Sequence, residues 1–247
     1  MADGIYVGMA AAAARAEQLD SIADNLANVE TPGFKASRPA FESFLPPRAG
    51  KSSDKVSTAA VGTGTDMSRG LLRTSDNKLD IVPQGNAFLT VQTPSGLAFT
   101  RNGHLTVSPE GLLTAAGYPL LGASGNPIEI PVGTTPVINE QGAVMIDAGP
   151  NSGTSQTGPV EIDRLALADL QGNVVHKGKS LYASGPGGAV APSSNGVDVG
   201  QIEMANATAL DATVQMIGAQ RQFETAMQAI QTYRRLDDQA LNVGKAR

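Results

Sequence analysis

Apolar residues near the start of the chain recur at alternating intervals of four and three. Ile5, Met9, Ala12, Ala16, Leu19, Ala23 and Leu26 make one stripe, widened by Ile22 and Val29. This spacing predicts an amphipathic helix with a heptad seam. Over 4–29 such a helix is about 40 Å long. Small residues at several seam positions let a partner helix approach closely. The pattern stops at Thr31-Pro32-Gly33: proline disfavours helical geometry in the residue before it, and glycine permits a reversal.

The far end mirrors the start. Leu210, Val214, Ile217, Phe223, Met227, Ile230 and Leu241 recur at helical spacing, with Gln220 and Arg234 interrupting. Thr208 reads as an N-cap, with Asp211 near the positive end of the dipole. The spacing predicts a helix over 208–241, about 50 Å long, and a periodic pattern of this length favours a coiled coil.

Between the ends the period shortens to two. Apolar runs at 88–91, 98–101, 104–107, 112–114, 118–121, 128–130, 137–138, 143–146, 160–170, 174–176 and 181–183 are separated by turn residues. Thr93-Pro94-Ser95-Gly96 reads as one turn. Asn102-Gly103 reads as a type I′ turn joining 98–101 to 104–107. Strands at this spacing without intervening helices predict an antiparallel all-β domain. Residues 36–76 fit neither period and read as an extended excursion. The fold class is therefore α+β: long terminal helices pairing as a coiled coil around a central antiparallel β domain. The expected divisions are 1–35, 36–76, 77–200 and 201–247.

Composition sharpens the division. All 15 prolines lie between Pro32 and Pro192, and only Gly4, Gly8, Gly218 and Gly244 fall outside 33–200. Both residues break regular helices. Aromatics are 4% and Trp is absent, so the core must be built from Ala, Val, Leu and Ile. With a net charge of −5, the chain lacks the basic, aromatic-rich character of a nucleic-acid binder. No apolar run is long enough to span a membrane. The chain start carries an acid, Asp3, where a signal peptide has Lys or Arg. In 1–30, Asp3, Glu17, Asp20, Asp24 and Glu30 stand against Arg15 alone. Arg221, Arg234 and Arg235 are available to face that acidic helix, in the same subunit or a neighbour; the alternative is a solvated surface.

Chemistry is scarce. Without cysteine there is no disulfide, thiol nucleophile or thiolate metal site. His104 and His176 sit in predicted strands, 72 residues apart, and read as ordinary strand residues. The glycine-rich pieces 62–64 and 185–188 lack the Lys-Ser/Thr of a phosphate loop. Asp237 and Asp238 project about 100° apart on a helix and cannot share a proton. Asp147, Glu161, Asp163 and Asp169 show no pairing that glycoside chemistry requires. Asn206-Ala207-Thr208 matches a glycosylation acceptor, a tripeptide common by chance. The reading is no catalytic, cofactor-binding or metal residues, and no enzyme.

Asp24-Asn25-Leu26-Ala27-Asn28-Val29-Glu30-Thr31-Pro32-Gly33-Phe34-Lys35 closely resembles the signature of bacterial flagellar rod and hook proteins, with Asp24 and Glu30 at common Asn positions. The runs at 4–9, 69–70, 79–81, 85–91, 99–103 and 117–122 resemble the family's chain start and the entry to its β domain. Ala87 stands where Gly is usual. Gly200-Gln201-Ile202-Glu203 and the run 216–224 resemble its C-terminal helix motif, with Ala205-Asn206 for the usual Ser-Asn. Residues 123–195 match only loosely. The length and the short 36–76 segment make the chain most like the proximal-rod F-type subunit, with the distal-rod type as alternative. An adhesin-like secreted β protein with oligomerising helices has no reason to carry 25–35.

The resemblance implies export through the flagellar apparatus without a cleaved signal. It implies assembly in the periplasm into a helical tube that transmits torque, with copies of itself and other rod subunits as partners. The expected assembly residues are Ile5, Met9, Leu19, Ile22, Leu26, Val29, Leu210, Val214, Ile217, Phe223, Met227 and Ile230. The family motif is carried by Asn25, Leu26, Ala27, Asn28, Thr31, Pro32, Gly33, Phe34 and Lys35.

Overall fold

The computed structural model describes residues 2–44, 57–147 and 159–245. Two compact units emerge. One gathers the chain up to Ala27, Ser37–Gly64 and the chain from Ala207; the other gathers Asn28–Ala36 and Thr65–Asn206.

The first unit is built on two helices, α1 (Ala2–Ala27) and α2 (Ala209–Lys245). Alanine, the best helix former, dominates α1. Thr208 caps α2 as its sequence suggests: its Oγ1 accepts the Asp211 N–H at 3.2 Å and donates to Asp211 Oδ2 at 2.6 Å. The helices run antiparallel. Ile22 packs with Ala212, Met216 and Ala219 near one end, while Gly8 lies against Ile230 near the other, where an added Cβ would come 2.8 Å from Ile230 Cγ1. Small residues on one helix thus receive large ones from the other. On α2 the face toward α1 is Ala212, Met216 and Ala219, with Phe223 and Ile230 following at heptad spacing.

In the same unit, Ser37–Phe44 and Ser57–Thr65 pair as a two-stranded sheet. Residues 36–76, read from the sequence as an extended excursion, thus carry strands over Ser37–Phe44, Ser57–Thr65 and Leu72–Thr74, with irregular chain over 66–71. Their 45–56 portion, with Pro46-Pro47, lies outside the described residues.

The second unit is antiparallel β throughout. Its largest sheet has six strands in the order Val174–Gly178, Leu181–Ser184, Gly96–Thr100, Ala87–Thr93, Leu167–Leu170 and Val190–Pro192. Residues 87–91 are buried on both faces, and the strand period divides them. Ala87, Leu89 and Val91 join the main core with Ile81, Leu113, Leu120 and Val144. Phe88 joins a second core with Phe99, Val174 and Tyr182. The turn at 93–96 closes a hairpin as expected.

The Asn102-Gly103 hairpin is not formed. Gly96–Thr100 pairs with Ala87–Thr93 and Leu181–Ser184, and Leu105–Val107 pairs with Leu113–Ala115. The chain is pulled out of hairpin geometry because the Arg101 side chain is sunk in the unit. The Gly103 carbonyl accepts the Ile81 N–H at 3.0 Å.

Candidate functional site

The end of α1 is also revised. The helix stops at Ala27, and Asn28–Ala36 packs as part of the β unit. Asn25 anchors the exit: its Oδ1 accepts the Ser37 N–H at 2.8 Å and its Nδ2 donates to the Ser37 carbonyl at 2.9 Å. The Thr31 N–H returns to the Asn28 carbonyl at 2.9 Å, and its hydroxyl donates to Asn28 Oδ1 at 3.4 Å. After half-buried Pro32, Gly33 turns the chain with φ +70°.

The next two residues go inside. Phe34 is fully buried, its ring edge-on to His176 at 5.3 Å. Lys35 is buried too, and its ammonium donates to Glu203 Oε1 at 2.6 Å and to the Ser68 carbonyl at 2.7 Å. Glu203 Oε1 also accepts the Gly70 N–H at 2.9 Å. Its other oxygen, Oε2, takes Nε and Nη2 of Arg101 at 2.9 and 2.8 Å. Arg101 spends its remaining donors on the carbonyls of Gly85, Ala87 and Pro83, and its guanidinium lies 5.8 Å from the Phe88 ring centroid.

Three charges, two positive and one negative, are therefore enclosed at 2% side-chain exposure or less. Burial would push the Glu203 carboxyl up, but Arg101, Lys35 and the Gly70 N–H together hold it below the usual range. For Lys35, burial prevails over Glu203 and lowers its pKa.

Main-chain N–H groups of 33–36 make further bonds. Gly33 N–H donates to the Glu203 carbonyl at 2.7 Å, and Lys35 N–H to the Tyr182 hydroxyl at 2.6 Å. Asn206 Oδ1 accepts the Ala36 N–H at 2.6 Å, while its Nδ2 donates to the Asp66 carbonyl at 2.8 Å. The acceptor asparagine of the tripeptide is thus a structural clamp.

The ionised groups of this site are enclosed and committed to one another, the arrangement of a structural clamp. The other polar cluster is equally inert. Asp80 is shared by Ser75 Oγ (2.5 Å), Asn77 and His104 Nδ1 (2.7 Å). The serine donates to the carboxylate instead of to the imidazole, so nothing is placed to activate it. Among the described residues no group of three or more His, Asp or Glu could hold a metal ion.

The expected assembly residues fall into two sets. Ile22 and Ile230 are buried, Leu19 and Leu26 pack beside Ile22, and Ile5, Val29 and Phe223 are half-buried. Met9 and Met227 are exposed, and so are Leu210 at 74%, Val214 at 63% and Ile217 at 52%. Leu210, Val214 and Ile217 lie on the side of α2 opposite its α1-facing alanines, as helical geometry requires. Leu241 is among the residues whose side chains are not described. Of the motif, Ala27 is exposed and Asn28 half-buried.

The Glu203 protonation state sets a pH dependence. A carboxyl held low in the folded state contributes stability above its unfolded pKa and loses it as pH falls through the folded one. The melting temperature of the β unit will therefore drop with acid below the ordinary carboxylate range. Glu203→Gln will start lower and show a shallower acid slope. An identical slope in both proteins would remove Glu203 as the cause.

Three family profiles match in order along the chain. "Flagella basal body rod protein" covers residues 5–35, "Flagellar hook protein FlgE/F/G D1 domain" covers 83–146, and "Flagellar basal body rod FlgEFG protein C-terminal" covers 199–243. The chain is 31% identical to the flagellar basal-body rod protein FlgF of Salmonella typhimurium over 239 residues, 93% of each chain. It is 31% identical to FlgF of Escherichia coli over 255 residues, covering 100% of this chain and 97% of that one. It is 30% identical to FlgG of Buchnera aphidicola from Acyrthosiphon pisum over 258 residues, 94% and 96% of the two chains. The signature turn, the β unit and α2 thus lie in the matched regions, and the chain belongs to the flagellar basal-body rod protein family, a family of structural subunits and not of enzymes.

Proposed function

We propose that the chain is the proximal-rod, F-type subunit, and that it joins the rod through its terminal helices as a helical tube of antiparallel coiled coils. The observation that carries the assembly reading is the exposed Leu210, Val214 and Ile217 stripe on α2, large apolar side chains left over after α1 is packed. Identity to two FlgF proteins over nearly their whole length supports the F-type over the distal type. Burying the stripe against neighbours contributes about 25 cal/mol per Å². A heterologous contact repeated from copy to copy extends into a filament. No helix among the described residues is long and apolar enough to cross a membrane, which suits a subunit of the periplasmic rod that leaves the cell through the flagellar export apparatus.

Two substitutions separate the two apolar faces. Ile217→Asp places its charge in water in the lone subunit. Purified protein will keep its helical circular dichroism, yet cells will complete at least tenfold fewer rods. Ile22→Asp places its charge at a 3% exposed position, where an unpaired ion costs several kcal/mol, and the helical signal itself will fall. Normal rod numbers with Ile217→Asp would sink the assembly role of the stripe.

A further inference from the structure

Two asparagines of the chain are followed by glycine, Asn102 and Asn195. In such a pair the glycine backbone nitrogen can attack the side-chain carboxamide carbon. The new N–C bond closes a five-membered imide. The Cγ–Nδ2 bond breaks, and ammonia leaves with the proton of the glycine N–H. Water then adds to one imide carbonyl and opens the ring. The product is aspartate or, by the other opening, isoaspartate with one more carbon in the main chain. Glycine suits the step because no Cβ shields its nitrogen. The two reacting atoms must come within about 3–3.5 Å, so the freedom of the asparagine to reach that contact sets the rate.

The glycines do not distinguish the two sites. A Cβ on Gly103 would run into the Ile81 carbonyl, and one on Gly196 into the Glu140 carbonyl. Neither glycine N–H makes a hydrogen bond among the described residues. The asparagines do differ. Asn102 is held: its Oδ1 accepts the His104 N–H at 3.0 Å, and its own N–H donates to Thr100 Oγ1 at 3.0 Å. The Thr100 hydroxyl is in turn fixed to the Ser180 carbonyl at 2.8 Å, in the buried interior. The backbone between Arg101 and Asn102 lies against Gly33, with no room for a Cβ. Swinging the Asn102 carboxamide onto Gly103 breaks the His104 bond and strains the rest.

Asn195 is exposed, in the loop between Val190–Pro192 and Val197–Val199. Among the described residues nothing donates to its Oδ1. Its N–H reaches Ser193 Oγ and its Nδ2 the Gln84 carbonyl, both at 3.4 Å, longer than an ordinary hydrogen bond. The N–H two residues on, which holds the carboxamide at Asn102, goes here to the Glu140 carbonyl at 2.9 Å.

We propose that Asn195-Gly196 is a covalent modification site of the folded β unit, losing ammonia to become aspartate or isoaspartate, while the fold protects Asn102-Gly103. The dipeptide and its chemistry are the same at both places, and the hydrogen bonding tells them apart. The new carboxylate faces the Gln84 carbonyl where an amide donor stood. Gln84 already gives its side-chain amide to Asp198 at 2.8 Å. It lies between Pro83 and Gly85, whose carbonyls receive Arg101. Modification therefore loosens the stretch that carries the arginine cage. The proposal is independent of the assembly reading.

The test uses the full chain, folded, in mildly alkaline buffer, with a parallel sample in denaturant. Peptide mass spectrometry follows residues 102 and 195, and enzymatic methylation of the free carboxylate counts isoaspartate. In the folded chain Asn195 will convert roughly tenfold faster than Asn102, about what one such hydrogen bond contributes to the barrier. In denaturant the two will convert at similar rates. Asn195→Gln, whose longer side chain closes a less favourable ring, will show no conversion there. Asn195→Asp will melt below the unsubstituted chain. Equal or faster conversion at Asn102 in the folded chain, a difference that survives in denaturant, or an unconverted Asn195 in the folded chain would each overturn the proposal. An unchanged melting temperature in Asn195→Asp would overturn the loosening.

Discussion

Replacing Glu203 with alanine will lower the melting temperature of the β unit by roughly 6–20 °C. The substitution leaves Lys35 and Arg101 enclosed without their counter-charge, at side-chain exposures of 1% and 2%. Breaking a buried ion pair by removing one partner costs about 3–5 kcal/mol. A domain of this size loses about 2–4 °C per kcal/mol. Against a total stability of about 5–15 kcal/mol, the loss takes up a large share of the margin. Three backbone-linked segments loosen together, because Glu203 also receives the Gly70 N–H and holds Lys35. Thermal melting followed by near-ultraviolet absorption of Tyr182 and its neighbours will read the change. A loss under about 1 kcal/mol would mean that water replaces the carboxylate, contrary to the closure of the site.

Gly33→Ala will cost at least as much as an ordinary strained residue, about 1–3 kcal/mol, and the contacts push it to the upper end. The residue sits at φ +70°, and a Cβ there would come 2.2 Å from the Arg101 carbonyl carbon and 2.3 Å from the Asn102 nitrogen. These are backbone atoms, so no side-chain rotation relieves the clash. Moving the 101–102 backbone drags Arg101 from Glu203 and disturbs the Gly33 N–H bond to the Glu203 carbonyl. Gly218→Ala is the control. It lies in α2 with nothing within 4 Å of the added carbon, and there alanine will stabilise by about 1 kcal/mol. Chemical denaturation of the two variants will show opposite signs; equal effects would contradict the packing at Gly33.

The helices were legible because their information is local. Periodicity places Ile22 and Ile230 on buried faces, and Thr208 is a cap by its side chain alone. What periodicity missed was which face of α2 turns inward. Leu210, Val214 and Ile217 are the larger residues and drew attention, but Ala212 and Ala219 face Ile22, because close helix approach selects size over hydrophobicity. The β unit was legible as antiparallel, with the 93–96 hairpin in place. Its Asn102-Gly103 turn was overridden by a tertiary demand, the burial of Arg101.

The ion triad was not legible. Lys35 lies 66 residues from Arg101 and 168 from Glu203, and no spacing rule connects them. Thr31-Pro32-Gly33 read as a helix stop. In the structure the helix has already ended at Ala27, and the turn instead delivers Phe34 and Lys35 into the β unit.

That separation has a kinetic side. The β unit is closed by residues from both its edges, and its keystone carboxylate is made 168 residues after Lys35. At about 5–20 residues per second, the ribosome needs roughly 8–34 s to go from Lys35 to Glu203. Through that interval the lysine is a solvated surface charge with no reason to enter an apolar interior. Every shorter nascent chain lacks the group that makes enclosure of Lys35 and Arg101 tolerable. Loop closure over so long a stretch is also entropically slow. Closure of the unit around Lys35 and Arg101 therefore waits for Glu203, and the segment from Lys35 onward stays an open thread until that residue is made.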